Sequence, residues 1–355
     1  MAVHKLLNRI VTPDDVDYGR KNAKKIAADL HDYTFGITSD PLTHFAVVFS
    51  ALIHDTDHKG VGNPQLCKEN PGLGEKYRFQ SVAEQNSVDI AWDLLMQSKY
   101  ADLQKCIFAS QEEYGRFRQL VVNTVLATDI FDPELKALRN MRWDRAFHSD
   151  DLHRDLDSLS EDATTTATET LVDAAEMDIS ESFHTNSTSS PPKSDDVVSS
   201  RKRQQLSSTN RKATIVIEHL IQASDVAHTM QHWHVYTKWN ERLFQEMSLA
   251  YLVGRSDTDP VQFWYKGELG FFDFYIIPLA KKLSECGVFG VSSDEYLNYA
   301  MRNREEWERR GNDMLQGMIE RFQVKLRQEY GDLGALESSN RSATSAIESS
   351  GNETE

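Results

Sequence analysis

The sequence predicts an all-α fold of many packed helices, interrupted by one long disordered insertion. Phe45–Ile53 is an apolar run without Gly or Pro, Ser81–Met96 places Val82, Ile90, Leu94 and Leu95 roughly on one face, and a helical pattern runs from Ala213 to Trp233. Such patterns belong to buried or amphipathic helices. The insertion, 150–211, is dominated by Ser, Thr, Asp and Glu and nearly lacks aromatic residues. A segment of that composition cannot bury enough apolar surface to offset its ordering entropy.

Length and composition agree with one large helical domain. The chain has 355 residues, 39% hydrophobic and 10% aromatic, enough to bury a substantial core. A net charge of -16 argues against a nucleic-acid partner. No apolar run approaches a membrane span, and Met1 is not followed by a basic and then apolar signal segment. Cys67, Cys106 and Cys286 are odd in number and widely spaced, so neither a disulfide framework nor a cysteine zinc knuckle is indicated, and a reducing compartment is the natural home.

In chain order, Met1–Ile10 reads as a helical piece. Pro13 with Asp14, Asp15 and Asp17 suggests the capped start of a short helix reaching Ala28. The helix that begins in the Phe45 run is expected to be buried and to carry His54, Asp55, Asp57 and His58 at its polar end. His54 and His58 would lie at i and i+4 on one face, with Asp55 leaning toward the same point. A cation would offset the desolvation of such a set, although a surface or capping His–Asp pair is the other reading of these residues alone. Gly60 and Gly62 then break the helix. Pro64, Pro71, Gly72 and Gly74 suggest a loop-rich crossing before Ser81–Met96. Helical patterns continue through Leu103–Phe108 and Gln119–Leu126 and end on the polar pair Thr128 and Asp129.

The 150–211 segment interrupts one domain and does not separate two, because Asp225 lies beyond it and must join a site that lies before it. Closing so long a surface loop costs only slowly growing entropy. Asp225 is embedded in the helical pattern that starts at Ala213, where a buried carboxylate requires a partner such as a metal.

These residues carry a resemblance. HDTDHKGVGN, preceded by an apolar helix, resembles the second metal motif, HD-x-x-H-x-G-x-x-N, of the class I 3',5'-cyclic nucleotide phosphodiesterases within the wider HD family of metal hydrolases. SVAEQNS at Ser81–Ser87, VLATDIF at Val125–Phe131, ASDVAH at Ala223–His228 and GELGFFDFYIIPLA at Gly267–Ala280 follow in the family's order. The resemblance covers roughly 1–145 and 212–330. It implies a catalytic domain in two parts, 1–149 and 212–332, around the 150–211 insertion; the Ser-, Glu- and Asn-rich 333–355 reads from its composition as a disordered tail.

The resemblance also implies the chemistry: hydrolysis of cAMP or cGMP to the 5'-monophosphate in signal transduction. His54, Asp55 and Asp225 would be metal ligands, with Asp55 bridging two divalent cations, a zinc and a magnesium or manganese. His58 would act with Asp55 in catalysis by orienting the hydroxide or phosphate. Glu84, Thr128 and Asp129 would hold metal-bound waters, while Glu268, Phe271 and His228 would contact the base. Relatives place a glutamine where this chain has Glu268. A carboxylate accepts but does not donate, which tilts the pocket toward guanine, whose N1–H and 2-amino group are donors.

At the N-terminus the pattern departs from the family. The first motif, HN-x-x-H-A, supplies a metal histidine and the histidine that protonates the leaving group, and this sequence does not contain it. Met1–Ile10 resembles the later part of the helix that carries that motif, and His4 aligns about nine residues past the metal histidine, more than two turns along. The expectation is an internal methionine of a longer polypeptide and impaired turnover by the chain as it stands. A catalytically inactive regulatory or scaffold module, or another HD-family phosphohydrolase, is the alternative. The implied location is the cytoplasm, or the cytoplasmic portion of a longer, membrane-anchored protein.

Overall fold

A computed structural model describes residues 2–11, 28, 30–148, 194–289 and 294–330. Among them are thirteen α-helices and no strand. The chain divides into two units, one formed by Met1–Asp132 with Ile217–Glu355 and the other by Pro133–Val216. Among the described residues no helix is long and apolar enough to cross a membrane. The helix expected to reach Ala28 and the tail at 333–355 lie outside the described residues, apart from Ala28 itself.

In the first unit α1 (Ala2–Val11) buries Val3, Leu6, Leu7 and Ile10. α2 (Pro41–Ile53) starts at Asp40, whose carboxylate accepts from Leu42 N and Thr43 N, an N-cap followed by proline at the first helical position. α2 packs against α7 (Gln111–Leu126) around Phe117, which is fully buried among Phe45, Phe49, Trp92 and Phe108 at ring separations of 5.7–6.1 Å. Ala46, Ile53, Val88, Ala91, Val121 and Val125 complete this core.

The apolar run is therefore buried on one side only. Phe45, Val48 and Leu52 form an exposed stripe, with Leu52 80% exposed. An unbroken apolar run does not say which faces a helix covers, because only the spacing of its packing partners decides that. On α5 (Val82–Leu95) the buried apolar residues are Val82, Val88, Ala91, Trp92 and Leu95, whereas Ile90 and Leu94 of the expected face are exposed. The expected loop crossing contains two short helices, α3 (Asn63–Glu69) and α4 (Pro71–Lys76). Their prolines occupy the first turn, where no N–H is needed. α6 (Ala101–Ile107) then leads into α7.

α9 (Ser194–Asp225) begins well before the expected start at Ala213. The insertion, 150–211, accordingly keeps 150–193 outside the described residues, while 194–211 has helical backbone. Arg201, Lys202, Arg203, Gln204 and Gln205 are good helix formers, so helical backbone here follows from propensity without apolar content. The second unit holds α8 (Pro133–Phe147) and the first part of α9. There Trp143 stacks on Phe147 at 4.4 Å, and Lys212 Nζ lies 5.4 Å over the Phe147 ring.

In the first unit α10 (Trp233–Leu252), α11 (Pro260–Phe271), α12 (Ile277–Glu285) and α13 (Asp294–Tyr330) bury Tyr236, Phe244, Trp264, Phe272 and Trp307. Between α11 and α12 lies one π turn, Phe272–Ile276, closed by Ile277 N donating to Phe272 O. Pro278 explains it: lacking an N–H, it cannot continue the α ladder, and the wider turn absorbs the break. Asn303, 2% exposed, donates to Thr229 O at 2.8 Å and Gln231 O at 2.7 Å, which ties the turn after Asp225 to α13.

Candidate metal centre and substrate pocket

α2 ends at Ile53, and the next residues form tight turns in which Thr56 N donates to Ile53 O and His58 N to Asp55 O. Asp57 has φ +64°, a left-handed conformation that Asp tolerates and that stops the helix. His54 and His58 are thus not stacked on one helical face. The turn is held by Ser87, whose hydroxyl donates to Thr56 O at 2.8 Å.

Asp225 is the last residue of α9, and its side chain is 36% exposed, contrary to the expected embedding in a buried helix. A helix end lets the carboxylate reach the site without desolvating the whole group. Gln222, one turn earlier, donates to Ala127 O at 2.8 Å. This bond holds the end of α9 against the end of α7, next to Thr128 and Asp129.

His54 Nε2 consequently lies 3.3 Å from Asp225 Oδ1 and 3.3 Å from Asp55 Oδ2. Ligand atoms of the three side chains all fall within 4.8 Å of one another. His54 Nδ1 is 3.0 Å from Ala51 O. A carbonyl only accepts, so Nδ1 carries the proton and the Nε2 lone pair faces two carboxylates. Three acceptors cannot converge without a positive charge. A proton can supply it: the hydrogen bond with Asp225 is the largest influence on His54 and, against opposing burial, raises its pKa to about 9. A cation can supply it as well. Two atoms about 2.0–2.1 Å from one tetrahedral cation stand about 3.3–3.4 Å apart, so the donor set fits a metal. The backbone bond at Nδ1 is the outer support that metal-binding histidines use.

A second carboxylate group adjoins the loop after His58. Asn63 Nδ2 donates to Glu84 Oε2 at 3.0 Å and Asp129 Oδ2 at 3.4 Å, and Ser81 Oγ donates to Asp129 Oδ2 at 2.8 Å. Burial pushes the Glu84 carboxyl up against the hydrogen bond from Asn63, nearby Asp129 adds to the rise, and His58 opposes it. His58 Nδ1 accepts from Gly60 N at 3.2 Å, which leaves Nε2–H as a donor. Gly60 has φ +70°, and a Cβ there would come within 2.9 Å of Glu246 Oε1, so the loop needs glycine at this point. Thr128 Oγ1 donates to Val125 O at 2.7 Å. His4 is exposed on α1 and bonded to Asn8, so it does not join His54, Asp55 and Asp225.

Glu268 is 9% exposed, and its Oε2 accepts from Tyr236 Oη at 2.7 Å. Asn240 links Tyr236 to Trp264 Nε1 through bonds of 3.5 and 3.2 Å. Burial lifts the Glu268 carboxyl to about 7, opposed by bonds from Tyr236 and Asn240. Phe271 stacks on Tyr275 at 5.4 Å. His228 packs beside Trp239 at 6.2 Å, and burial lowers it to about 4 against the pull of Asp225, so its ring is neutral at pH 7.

Of the residues named from sequence, His54, Asp55 and Asp225 converge, and Glu84 and Asp129 share Asn63. Sequence reasoning missed the hydrogen bonds of Asn63 and Ser81 and the Tyr236–Asn240–Trp264 chain behind Glu268. Asn63 stands at the last position of the quoted motif, and Ser81 opens SVAEQNS. Nothing in the local sequence singles out Tyr236 or Asn240.

The fold is thus an all-α domain in which a histidine and two carboxylates from distant stretches of sequence come together in a group that could hold a metal ion. Residues 27–289 match the family described as 3'5'-cyclic nucleotide phosphodiesterase, and the chain belongs to that family. It is 35% identical over 85 residues to the probable 3',5'-cyclic-AMP phosphodiesterase pde-4 of Caenorhabditis elegans, a stretch covering 24% of this chain and 12% of that protein. It is 31% identical over 86 residues to the dual specificity calcium/calmodulin-dependent 3',5'-cyclic nucleotide phosphodiesterase 1C of Mus musculus, covering 24% of this chain and 12% of that protein. The matched stretches thus span about an eighth of these relatives. The fold resembles the phosphodiesterase domain of the RhoPDE fusion protein from the choanoflagellate Salpingoeca rosetta, with a TM-score of 0.50 and 18% identity over 88% of this chain and 90% of that one.

Proposed function

We propose that this chain hydrolyses 3',5'-cyclic nucleotides to 5'-monophosphates with the help of two divalent cations. The observation that carries this reading is the convergence of His54 Nε2, Asp55 and Asp225, with the His54 lone pair turned inward by the bond from Nδ1 to Ala51 O. Mixed nitrogen and oxygen donors suit zinc at this position, while carboxylates and water suit magnesium or manganese beside it. Bound there, the cations supply Lewis acidity to the phosphate and bring the pKa of water toward neutrality.

The chain's own residues hold and orient the reactants. Asp55, 66% exposed at its side chain, can offer one oxygen to each of two cations. Glu84 and Asp129, cross-linked by Asn63, accept from water on the side of His58. With Nδ1 occupied by Gly60 N, His58 presents Nε2–H to a phosphate oxygen. The neutral ring of His228 faces the base with one donor and one acceptor, and Phe271, braced by Tyr275, offers a stacking face.

The names of the relatives include one for cAMP and one of dual specificity. Glu268 decides between the bases in this chain. Tyr236 occupies Oε2, so the ionised carboxylate presents an acceptor edge that favours the N1–H and 2-amino donors of guanine. With a pKa of about 7, this preference strengthens as pH rises past neutrality.

The test is release of 5'-AMP and 5'-GMP by the purified chain under saturating Mg²⁺ or Mn²⁺ with trace Zn²⁺. Because the HN-x-x-H-A motif is absent from this sequence, slow turnover that rises when an HN-x-x-H segment is joined ahead of Met1, and that disappears on chelation and in Asp55→Ala, is the expected result. Turnover indifferent to chelation, or none with the cations saturating even in the chain extended by an HN-x-x-H segment, overturns the reading.

A further inference from the structure

The serine that precedes α5 does not do what a serine at that place ordinarily does. A helix N-cap serine adopts extended backbone and lends its oxygen to an N–H of the first turn. Ser81 instead has φ 39° and ψ 51°, makes no capping bond, and is 5% exposed. Its hydroxyl donates to Asp129 Oδ2 at 2.8 Å, forty-eight positions along the chain.

The helix start is served by a residue from another segment. Asn63 Oδ1 accepts from Ala83 N at 2.9 Å, while Asn63 Nδ2 donates to Glu84 and Asp129. The capping duty has moved to Asn63, and the serine hydroxyl is free for the carboxylate. The preceding turn is shaped to the same end, since Arg78 and Phe79 are left-handed too, at φ 54° and 59°. Three non-glycine residues in that region within four positions is a strained arrangement that the surrounding contacts must hold. The other oxygen of Asp129 accepts from Phe131 N and Asp132 N, each at 3.2 Å. Bonds at both oxygens define the plane of the carboxylate.

We propose that Ser81 is a positioning residue: its hydroxyl orients Asp129, and with it the pair Asp129 and Glu84 joined by Asn63, toward the second and weaker divalent cation. This rests on the two-cation reading above and deepens it.

The experiment is Mn²⁺ titration of the full chain, followed by calorimetry and by the loss of free Mn²⁺ signal in electron paramagnetic resonance, for the parent, Ser81→Gly and Ser81→Thr. Glycine accepts the left-handed backbone without cost but lacks the hydroxyl. Ser81→Gly should therefore keep or raise the thermal midpoint while weakening the second Mn²⁺ site about 10–100-fold, the usual effect of losing an outer-shell partner. The tighter site should be unchanged, and Ser81→Thr, which retains a hydroxyl, should bind the second ion more tightly than Ser81→Gly. If Ser81 served only the backbone shape, Ser81→Gly would bind both ions like the parent, and that result overturns the proposal. A parent chain that binds a single equivalent overturns the two-cation reading and this proposal with it.

Discussion

His54 Nε2 and Asp225 Oδ1 stand 3.3 Å apart across 171 positions of sequence, and the other nitrogen of His54 is committed to Ala51 O. A single rotamer and tautomer of His54 thus faces the end of a helix that belongs to the far half of the chain.

Removing either partner should dismantle the tight cation site. His54→Ala and Asp225→Ala are each expected to weaken Zn²⁺ or Mn²⁺ binding by more than the ~10–100-fold attributed to outer-shell losses. Isothermal titration of purified protein measures this directly. Stoichiometry and affinity equal to the parent would show that the three residues meet for another reason.

Cation binding should also appear as stability. A ligand present at about 100 times its Kd and bound only by the folded state adds about 2.7 kcal/mol. The thermal midpoint of the parent should rise on adding the cation and fall back on chelation, and Asp225→Ala should show neither change.

Glu268 supplies a pH signature. Burial raises its carboxyl from 4.5 to about 7, so between these values the folded state holds a proton that the unfolded state releases. Its stabilising contribution is complete below about pH 4.5 and is lost as pH rises through 7. The full loss is on the order of 3 kcal/mol. Glu268→Gln, neutral throughout, should gain on the parent by that order at pH 8 and hardly at all at pH 4.5. Urea denaturation of both proteins at the two pH values is the measurement, and a gap that does not change with pH would contradict the burial of a titrating group. The same variant should shift turnover from cGMP toward cAMP at pH 8, because the amide can again donate.

Phe117 anchors the core beneath α2, the helix that leads into the His54–Asp57 turn. Phe117→Ala should cost about 3–5 kcal/mol, read as a lowered denaturation midpoint, with the loss falling on α2 and α7. A cost below about 1 kcal/mol would mean that the aromatic cluster repacks around the gap.

The helices were legible where an apolar run or periodicity marked them, as along Phe45–Ile53 and Ser81–Met96, while the Asp40–Pro41 start of α2 was not read. Burial was less legible: the run from Phe45 to Ile53 shows no polar face, yet Leu52 is exposed, because exposure depends on which helices arrive to cover it. The start of α9 was misplaced since a helix rich in Arg, Lys and Gln resembles a solvated linker in composition. The residues of the candidate metal group, His54, Asp55 and Asp225, were legible as residue types in motif order. Their geometry was not, since the His54–His58 spacing suggests one helical face while Asp57 turns the chain left-handed before the second histidine is reached.

By itself the sequence determined the all-α class, the residue types of the candidate metal group and the departure at Glu268, because periodicity, motif order and side-chain chemistry are local properties. Tertiary structure alone decided that Asp225 meets His54, that Asn63 rather than Ser81 caps α5, and that Tyr236 claims one oxygen of Glu268. Each of these outcomes depends on which donor reaches an acceptor first when distant helices pack, and no local pattern carries that information.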